Sequence, residues 1–432
     1  MTPGTIVFFP ESAFGPTNNC VGIGEVLVER GHRVVFVLEE SFAGTLEARG
    51  FEERLMRLAP PPERPEEPGQ FWKDFIRETA PVFRKSTFEQ LGEFIAPTWQ
   101  ALLDGSRYVD ERLAEILAEV EPDAIVEDNV CAFPAILASV RPWVRIVSCN
   151  PLELKDPELP PPFSGLALAD RDQWEDYRAE YRGATLGMQR DFSEFCTGRG
   201  APPLPEGELI HESDWLNLYL YPRQLDYPRS RPLPRTWHNL ESSVRTSDAP
   251  WSPPAEIAEG DGALIYVSLG SLASGDVPLM ERLVEALART EHRYVVSKGP
   301  QHDQYDLAEN MVGEEFLPQV SVLPHVDLVI THAGNNTTTE ALHHGKPMIA
   351  LPIFWDQHDN AQRIDETGFG VRLETYSFSD EEVSEAIERL LGDAGLGRRL
   401  GALSARLQAN RGNVRAADLV ERVATTGEPV LR

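Results

Sequence analysis

Short, uninterrupted apolar runs alternate with helical stretches twice along the chain. In the first half, Ile6–Phe9 and Val34–Leu38 carry no polar residue. Runs this short and this apolar predict strands buried on both faces of a parallel sheet. Between them, Asn19 to Arg30 reads as a helix closed by Gly31. Further strands are expected at Ala124–Val126 and Val144–Val147. Ahead of the first of these, Val109, Leu113, Ile116 and Leu117 fall on one helical face. The stretch Gln70–Leu103 is helical and aromatic, with Phe71, Trp72, Phe75, Phe83, Phe88, Phe94 and Trp99. It admits two readings: a helical insertion packed on the sheet, or the wall of a pocket for a bulky apolar ligand.

The pattern breaks from Asp226 to Gly262, where Pro228, Pro232, Pro234, Pro250, Pro253 and Pro254 crowd a stretch without periodicity. This predicts an interdomain linker over 226–262. Alternation then resumes. Strands are expected at Leu264–Ser268, Tyr294–Ser297, Leu328–Thr331 and Met348–Leu351, and helices at Met280–Ala288 and Asp380–Leu391. A last helix carries Ala416, Leu419, Val420 and Val423. The expected architecture is α/β: two Rossmann-like doubly wound domains facing a cleft, over 1–225 and 263–408, with a helix over 409–432 crossing back towards the first domain.

Composition narrows the function. The 432 residues hold 40 Lys+Arg against 69 Asp+Glu, a formal charge of −29. Such a surface does not neutralise nucleic-acid phosphates, and it is repelled by anionic membranes. It still permits an anionic small molecule, because backbone dipoles can hold one locally. Met1 leads almost directly into an apolar strand with no basic leader, and no apolar run approaches the length of a membrane span, so a cytoplasmic location is expected. Cys20, Cys131, Cys149 and Cys196 are far apart and expected reduced.

The strongest chemical signal is Thr331-His332-Ala333-Gly334-Asn335-Asn336-Thr337-Thr338-Thr339-Glu340, which follows an apolar strand and opens a helix. Gly334 allows close backbone approach, and Asn336, Thr337 and Thr338 place short donors beside free amides. That arrangement binds phosphate without a basic surface. It could equally be an ordinary capped helix start. Downstream, Asp356 and Gln357 end a strand with an acid and an amide, a pair suited to vicinal hydroxyls.

These residues carry a family resemblance. The ordered set Phe316-Leu317-Pro318-Gln319, Val322-Leu323-Pro324-His325, Thr331 to Glu340, and Asp356-Gln357-His358-Asp359-Asn360-Ala361 resembles the donor-binding signature of inverting UDP-dependent glycosyltransferases of the GT-B fold, family 1, which act on small lipophilic acceptors. Weaker similarity covers nearly the whole chain, including Val267 to Ser271 and Arg30-Gly31-His32. The resemblance implies that Phe316 stacks on uracil, Gln319 bonds the base, and Glu340 binds the ribose. It implies that His332, Gly334, Asn336, Thr337 and Ser271 hold the diphosphate. Asp356 and Gln357 would bind the sugar, favouring glucose. No metal or other cofactor is implied, the UDP-sugar being a co-substrate. The first domain would bind a small lipophilic or phenolic acceptor, with Phe14, Phe71, Phe75 and Phe83 as pocket candidates.

One departure stands out. The family places a catalytic His, or sometimes Asp, where this chain has Pro16, and Pro16 cannot accept a proton. The partner acid is matched by Asp128, although Asp128 could instead cap a helix. Three accounts stay open. Asp128 or Glu11 serves as base with a raised pKa, the acceptor is already acidic, or the protein binds sugar nucleotides and catalyses poorly. A non-catalytic sugar-nucleotide-binding protein is therefore the alternative, and a UDP-GlcNAc epimerase on the same fold a weaker one. Asp170-Arg171-Asp172 reads as a helix N-terminus rather than a metal motif, and Gly22-Ile23-Gly24 lacks the third glycine of a dinucleotide fingerprint.

Overall fold

The computed structural model describes residues 3–61, 78–246 and 248–432. The first sheet holds seven strands: β1 (Thr5–Pro10), β2 (Arg33–Glu39), β3 (Glu52–Met56), β4 (Ala124–Asp128), β5 (Trp143–Val147), β6 (Leu216–Tyr219) and β7 (Trp237–Asn239). Their order is β3-β2-β1-β4-β5-β6-β7, all parallel. The second sheet holds β8 (Leu264–Ser268), β9 (Arg293–Ser297), β10 (Met311–Glu314), β11 (Leu328–Thr331), β12 (Met348–Ala350) and β13 (Gly370–Arg372). Its order is β10-β9-β8-β11-β12-β13, again all parallel. These are two doubly wound α/β sheets.

The apolar runs form central strands because both faces are covered. Ile6 and Phe8 pack with Val34 and Phe36 against Cys20, Ile23 and Leu27 of the helix Phe14–Glu29, and against Ala416, Val420 and Val423 of the helix Gly412–Thr426. Val7, Phe9, Val35 and Val37 turn to the other face, towards Trp99, Leu103, Leu113 and Leu117 of the helix Ala96–Val120. Alternation of side chains sends successive residues of one run into two separate cores.

Two departures from the expected elements bear on the site. The first helix starts at Phe14, not Asn19. Pro16 sits in its first turn, where a backbone N–H has no intrahelical partner, so proline is tolerated. The Pro-rich stretch 226–262 is not wholly a linker, because Trp237–Asn239 pairs with β6 at the edge of the first sheet. A three-residue strand between prolines is too short to show a period.

Each sheet reverses direction of winding beside its first strand, between β1 and β4 and between β8 and β11. Ligand clefts form at the carboxyl ends of strands at such points. The residues following β1 and β4, and those following β8, β11 and β12, converge there.

Candidate active site

On the first domain, register brings two acids together. Pro10 of β1 lies beside Asp128 of β4, and Glu11, the next residue, donates its backbone N–H to the Asp128 carbonyl at 2.8 Å. Asp128 is buried. Its Oδ1 accepts from the Ser148 hydroxyl at 2.8 Å, while Oδ2 is buried without a hydrogen-bond partner. Burial pushes its pKa up to about 7, opposed by the Ser148 hydrogen bond and reinforced by the charges of Glu11 and Glu153. Glu11 is also pushed up to about 7, by burial first and then by Glu153 and Asp356. Asp128 caps no helix; the following helix Pro134–Ala138 is preceded by Phe133. Pro16 offers no titratable group beside them.

On the second domain, β8, β11 and β12 end side by side, with Ser268 paired to Thr331 and Thr331 to Ala350. His332 lies in the resulting crevice. A Cβ at Gly334 would come 2.5 Å from its Nε2, and one at Gly270 2.7 Å from its Cε1. Both glycines therefore give the imidazole its place. Ala333 at φ 62° and Trp355 at φ 58° hold left-handed backbone in the same loops, strain concentrated where the two loops turn. Burial lowers the His332 pKa to about 4, so the ring is neutral at pH 7. The helix Asn335–His343 starts here with no side chain capping its first turn. Asn336 reaches across the cleft: its Oδ1 accepts from Asn19 Nδ2 at 2.7 Å, and its Nδ2 donates to the Gly15 carbonyl at 2.9 Å. Asn335 Nδ2 donates to the Ser148 and Leu220 carbonyls. The helix mouth thus faces the loop that carries Pro16.

The other expected donor residues split. Glu340 is buried, and its Oε2 accepts from Gln319 Nε2 at 2.6 Å. The Gln319 side chain is occupied by Glu340, Thr337 and Tyr266 rather than free for a base. Asp356 accepts from the Asn150 backbone N–H at 2.8 Å and from Asn360 at 3.3 Å. Burial raises its pKa to about 6. The carbonyl of Gln357 accepts from the Ile353 and Phe354 amides. Ser271 follows Gly270 in the short helix Gly270–Ala273. Phe316 is half exposed.

Of the four aromatic pocket candidates, the two described ones, Phe14 and Phe83, lie in different surroundings. Phe14 is exposed and lies 6.2 Å from Phe316 of the second domain. Phe83 is buried against Phe94 and Phe354, its ring used in packing between domains. Phe71 and Phe75 lie outside the described residues. A small cavity opens elsewhere, lined by Trp99, Phe163, Tyr181, Glu153 and Lys155, with the Trp355 ring tilted at 41° to Phe163, centroids 4.5 Å apart. Ser148, Asn150 and Arg245 belong to no sequence motif. Ser148 and Asn150 follow β5, so the strand-end rule alone could have found them. Among the described residues, no helix is long and apolar enough to cross a membrane, and no group of three or more His, Cys, Asp or Glu is arranged to hold a metal.

Comparison with known proteins agrees with this geometry. Residues 250–405 match the family model described as UDP-glucoronosyl and UDP-glucosyl transferase. Demethyllactenocin mycarosyltransferase of Streptomyces fradiae is 26% identical over 96% of this chain and 86% of its own length. Oleandomycin glycosyltransferase of Streptomyces antibioticus is 24% identical over 97% of this chain and 91% of its own. Among solved structures, the glycotransferase of kitacinnamycin aligns with a TM-score of 0.72 at 23% identity, covering 98% of this chain and 99% of that one. The paired sheets and this full-length similarity show that the chain has the GT-B fold of glycosyltransferases, with a match to the UDP-glucoronosyl and UDP-glucosyl transferase model over residues 250–405 of the second domain.

Proposed function

We propose that the protein transfers a hexose from a nucleoside diphosphate sugar to a hydroxyl of a small apolar or aromatic natural product, with inversion. The observation that supports this reading is the pairing of β1 with β4, which seats Glu11 beside Asp128 at strand ends near the open helix Asn335–His343. In the proposed step, the acceptor oxygen attacks the anomeric carbon as its proton passes to the Asp128 carboxylate. The bond from that carbon to the diphosphate breaks with the electron pair, and free amides of the helix receive the diphosphate charge. A single in-line displacement inverts the centre. The raised pKa of Asp128, reinforced by Glu11, answers the absence of a base at Pro16. Phe316 would stack on the base and Glu340 hold the ribose, while the base edge would meet the Gln319 backbone. We assign no step to a metal, and transfer is expected to survive EDTA.

For the donor, Asp356 and Gln357 support a glucose-like sugar on UDP. A deoxysugar on thymidine diphosphate is a second reading. It is favoured because internal hydrogen bonds already take one Asp356 oxygen and the Gln357 carbonyl, and because a spinosyn rhamnosyltransferase was solved with thymidine diphosphate. The aromatic cluster of Trp99, Phe163 and Tyr181 borders the proposed acceptor side, while the cavity there, about 20 Å³, admits only a water-sized group. The test is calorimetry with UDP, TDP and their glucose conjugates, followed by donor consumption over a panel of phenols, flavonoids and macrolides. No nucleotide binding by folded protein would sink the donor assignment. Binding without turnover on any acceptor would favour a non-catalytic sugar-nucleotide-binding protein, and conversion of UDP-GlcNAc without acceptor an epimerase.

A further inference from the structure

A buried polar network joins the crossing segment between domains to the donor site. Arg245 is buried and forks onto Asp248, with Nε 2.6 Å from Oδ1 and Nη2 2.8 Å from Oδ2. Its remaining arm, Nη1, donates to Glu340 Oε1 at 2.8 Å. The other Glu340 oxygen accepts from Gln319, and Asp248 Oδ2 accepts from the Val320 backbone N–H at 3.3 Å. Glu340 is thus fixed on both oxygens, each keeping a lone pair for a further donor.

The segment carrying Arg245 is itself pinned to the first domain. Ser243 donates to the Asn19 carbonyl, and Thr246 donates to Glu25 through its backbone and its hydroxyl. Gly22 gives it room: a Cβ there would meet the Arg245 nitrogen and the Ser243 hydroxyl at 3.2 Å. The Gly22-Ile23-Gly24 sequence, which completes no dinucleotide fingerprint, has a packing role at this point.

We infer that Arg245 is a positioning residue for nucleotide recognition, holding Glu340 so that the site takes ribonucleoside diphosphates in preference to their 2′-deoxy counterparts. The inference rests on the reading that Glu340 receives the ribose and on UDP as the donor nucleotide, since thymidine diphosphate is itself a 2′-deoxynucleotide and would be disfavoured. Burial raises the Glu340 pKa, and the guanidinium beside it opposes that rise. A carboxylate held by one donor on each oxygen keeps a lone pair on each, and two vicinal hydroxyls would satisfy both. A 2′-deoxyribose leaves one buried acceptor unfilled, and sites built for a hydroxyl reject ligands that lack it.

The test is the ratio of Kd values for 2′-deoxy-UDP and UDP, measured by calorimetry on wild type, Glu340→Gln, Arg245→Met, Arg245→Lys and Asp248→Asn. A general loosening of the site weakens both ligands alike and leaves the ratio unmoved. The wild-type ratio is expected to be about tenfold, the effect of one hydrogen bond to a charged group. It is expected to fall to about 2 or less in Arg245→Met, and part of the way in Arg245→Lys, which keeps the charge without the fork. A wild-type ratio of one, with UDP binding intact in Glu340→Gln, overturns the assignment of Glu340 to the ribose and this inference with it. A ratio lost in Glu340→Gln but kept in Arg245→Met overturns the role of Arg245 alone. Should Arg245→Met not fold, an unchanged ratio in both Arg245→Lys and Asp248→Asn overturns it equally.

Discussion

Replacing Asp128 by Asn separates catalysis from stability, because the two should move in opposite directions. Asn keeps the shape of the side chain and removes the proton acceptor. With a pKa of about 7, Asp128 is half ionised at neutral pH, a useful balance of basicity and population for a general base. Losing that base should lower turnover by about 10²-fold or more with donor affinity little changed, which is about 3 kcal/mol of barrier. Stability follows from the same burial. Below pH 4 both folded and unfolded chains carry the proton, and the group is without cost. As pH rises, the unfolded chain ionises first, near 3.8, while the folded chain holds its proton to about 7. Stability is therefore lost across that window, by about 4 kcal/mol for a gap of about 3 pH units. Asn avoids this cost and gives back about 1 kcal/mol in rearranging the Ser148 hydrogen bond. The Asn variant should melt higher than wild type at pH 8, and the advantage should shrink towards pH 5. Scanning calorimetry at both pH values, beside initial rates on an acceptor from the panel, reads both effects. Turnover within tenfold of wild type would refute Asp128 as base. A lower melting temperature at pH 8 would refute the burial argument.

Other consequences are equally direct. Gly270→Ala places a Cβ against His332 and forces a side-chain residue into φ 75°, so UDP affinity should fall about tenfold or more with the circular dichroism spectrum preserved. Because His332 is neutral at pH 7, His332→Gln should weaken UDP-glucose binding by the same factor at pH 6 and pH 8, as measured by calorimetry; a larger loss at pH 6 would mean a charged ring. Asn336→Ala removes the bonds to Asn19 and Gly15, and small-angle scattering of the ligand-free protein should show a larger radius of gyration. An unchanged profile would mean that other contacts hold the cleft shut.

The parts of the fold legible in the sequence are those where burial is two-sided. Ile6–Phe9 and Val34–Leu38 can be read because covered strands must be apolar at every position. Strand β3 escaped because Glu-Glu-Arg-Leu-Met lies at the sheet edge with its charges half exposed. Strands β7 and β13 are three residues long and leave no pattern. At the site, His332, Gly334 and Asn336 could be read because their spacing is local to one strand–helix turn. Glu11 and Asp128 are 117 positions apart in number, yet parallel register seats them together, and only the pairing of β1 with β4 reveals it. Arg245 gave no signal at all. Its meaning lies in Glu340 and Asp248, and a buried arginine within a Pro-rich stretch resembles any surface residue until its partners are known.

The two connections between the domains touch one another. Asn410 donates to the Leu240 carbonyl and to Glu241, and a Cβ at Gly412 would fall 1.9 Å from the Ser242 carbonyl. Beyond Gly412 the last helix is fastened to the first domain, with Glu421 receiving Arg30 and His32. A joint made of one covalent strand swivels freely, whereas two strands fastened side by side bend about the line between them and resist torsion. The cleft should therefore open and close along a single arc, bringing the mouth of the Asn335–His343 helix back onto the Gly15–Asn19 turn at every closure. In mechanical language such a joint would make the molecule a clasp, its hinge restoring the two faces to one alignment at each closure.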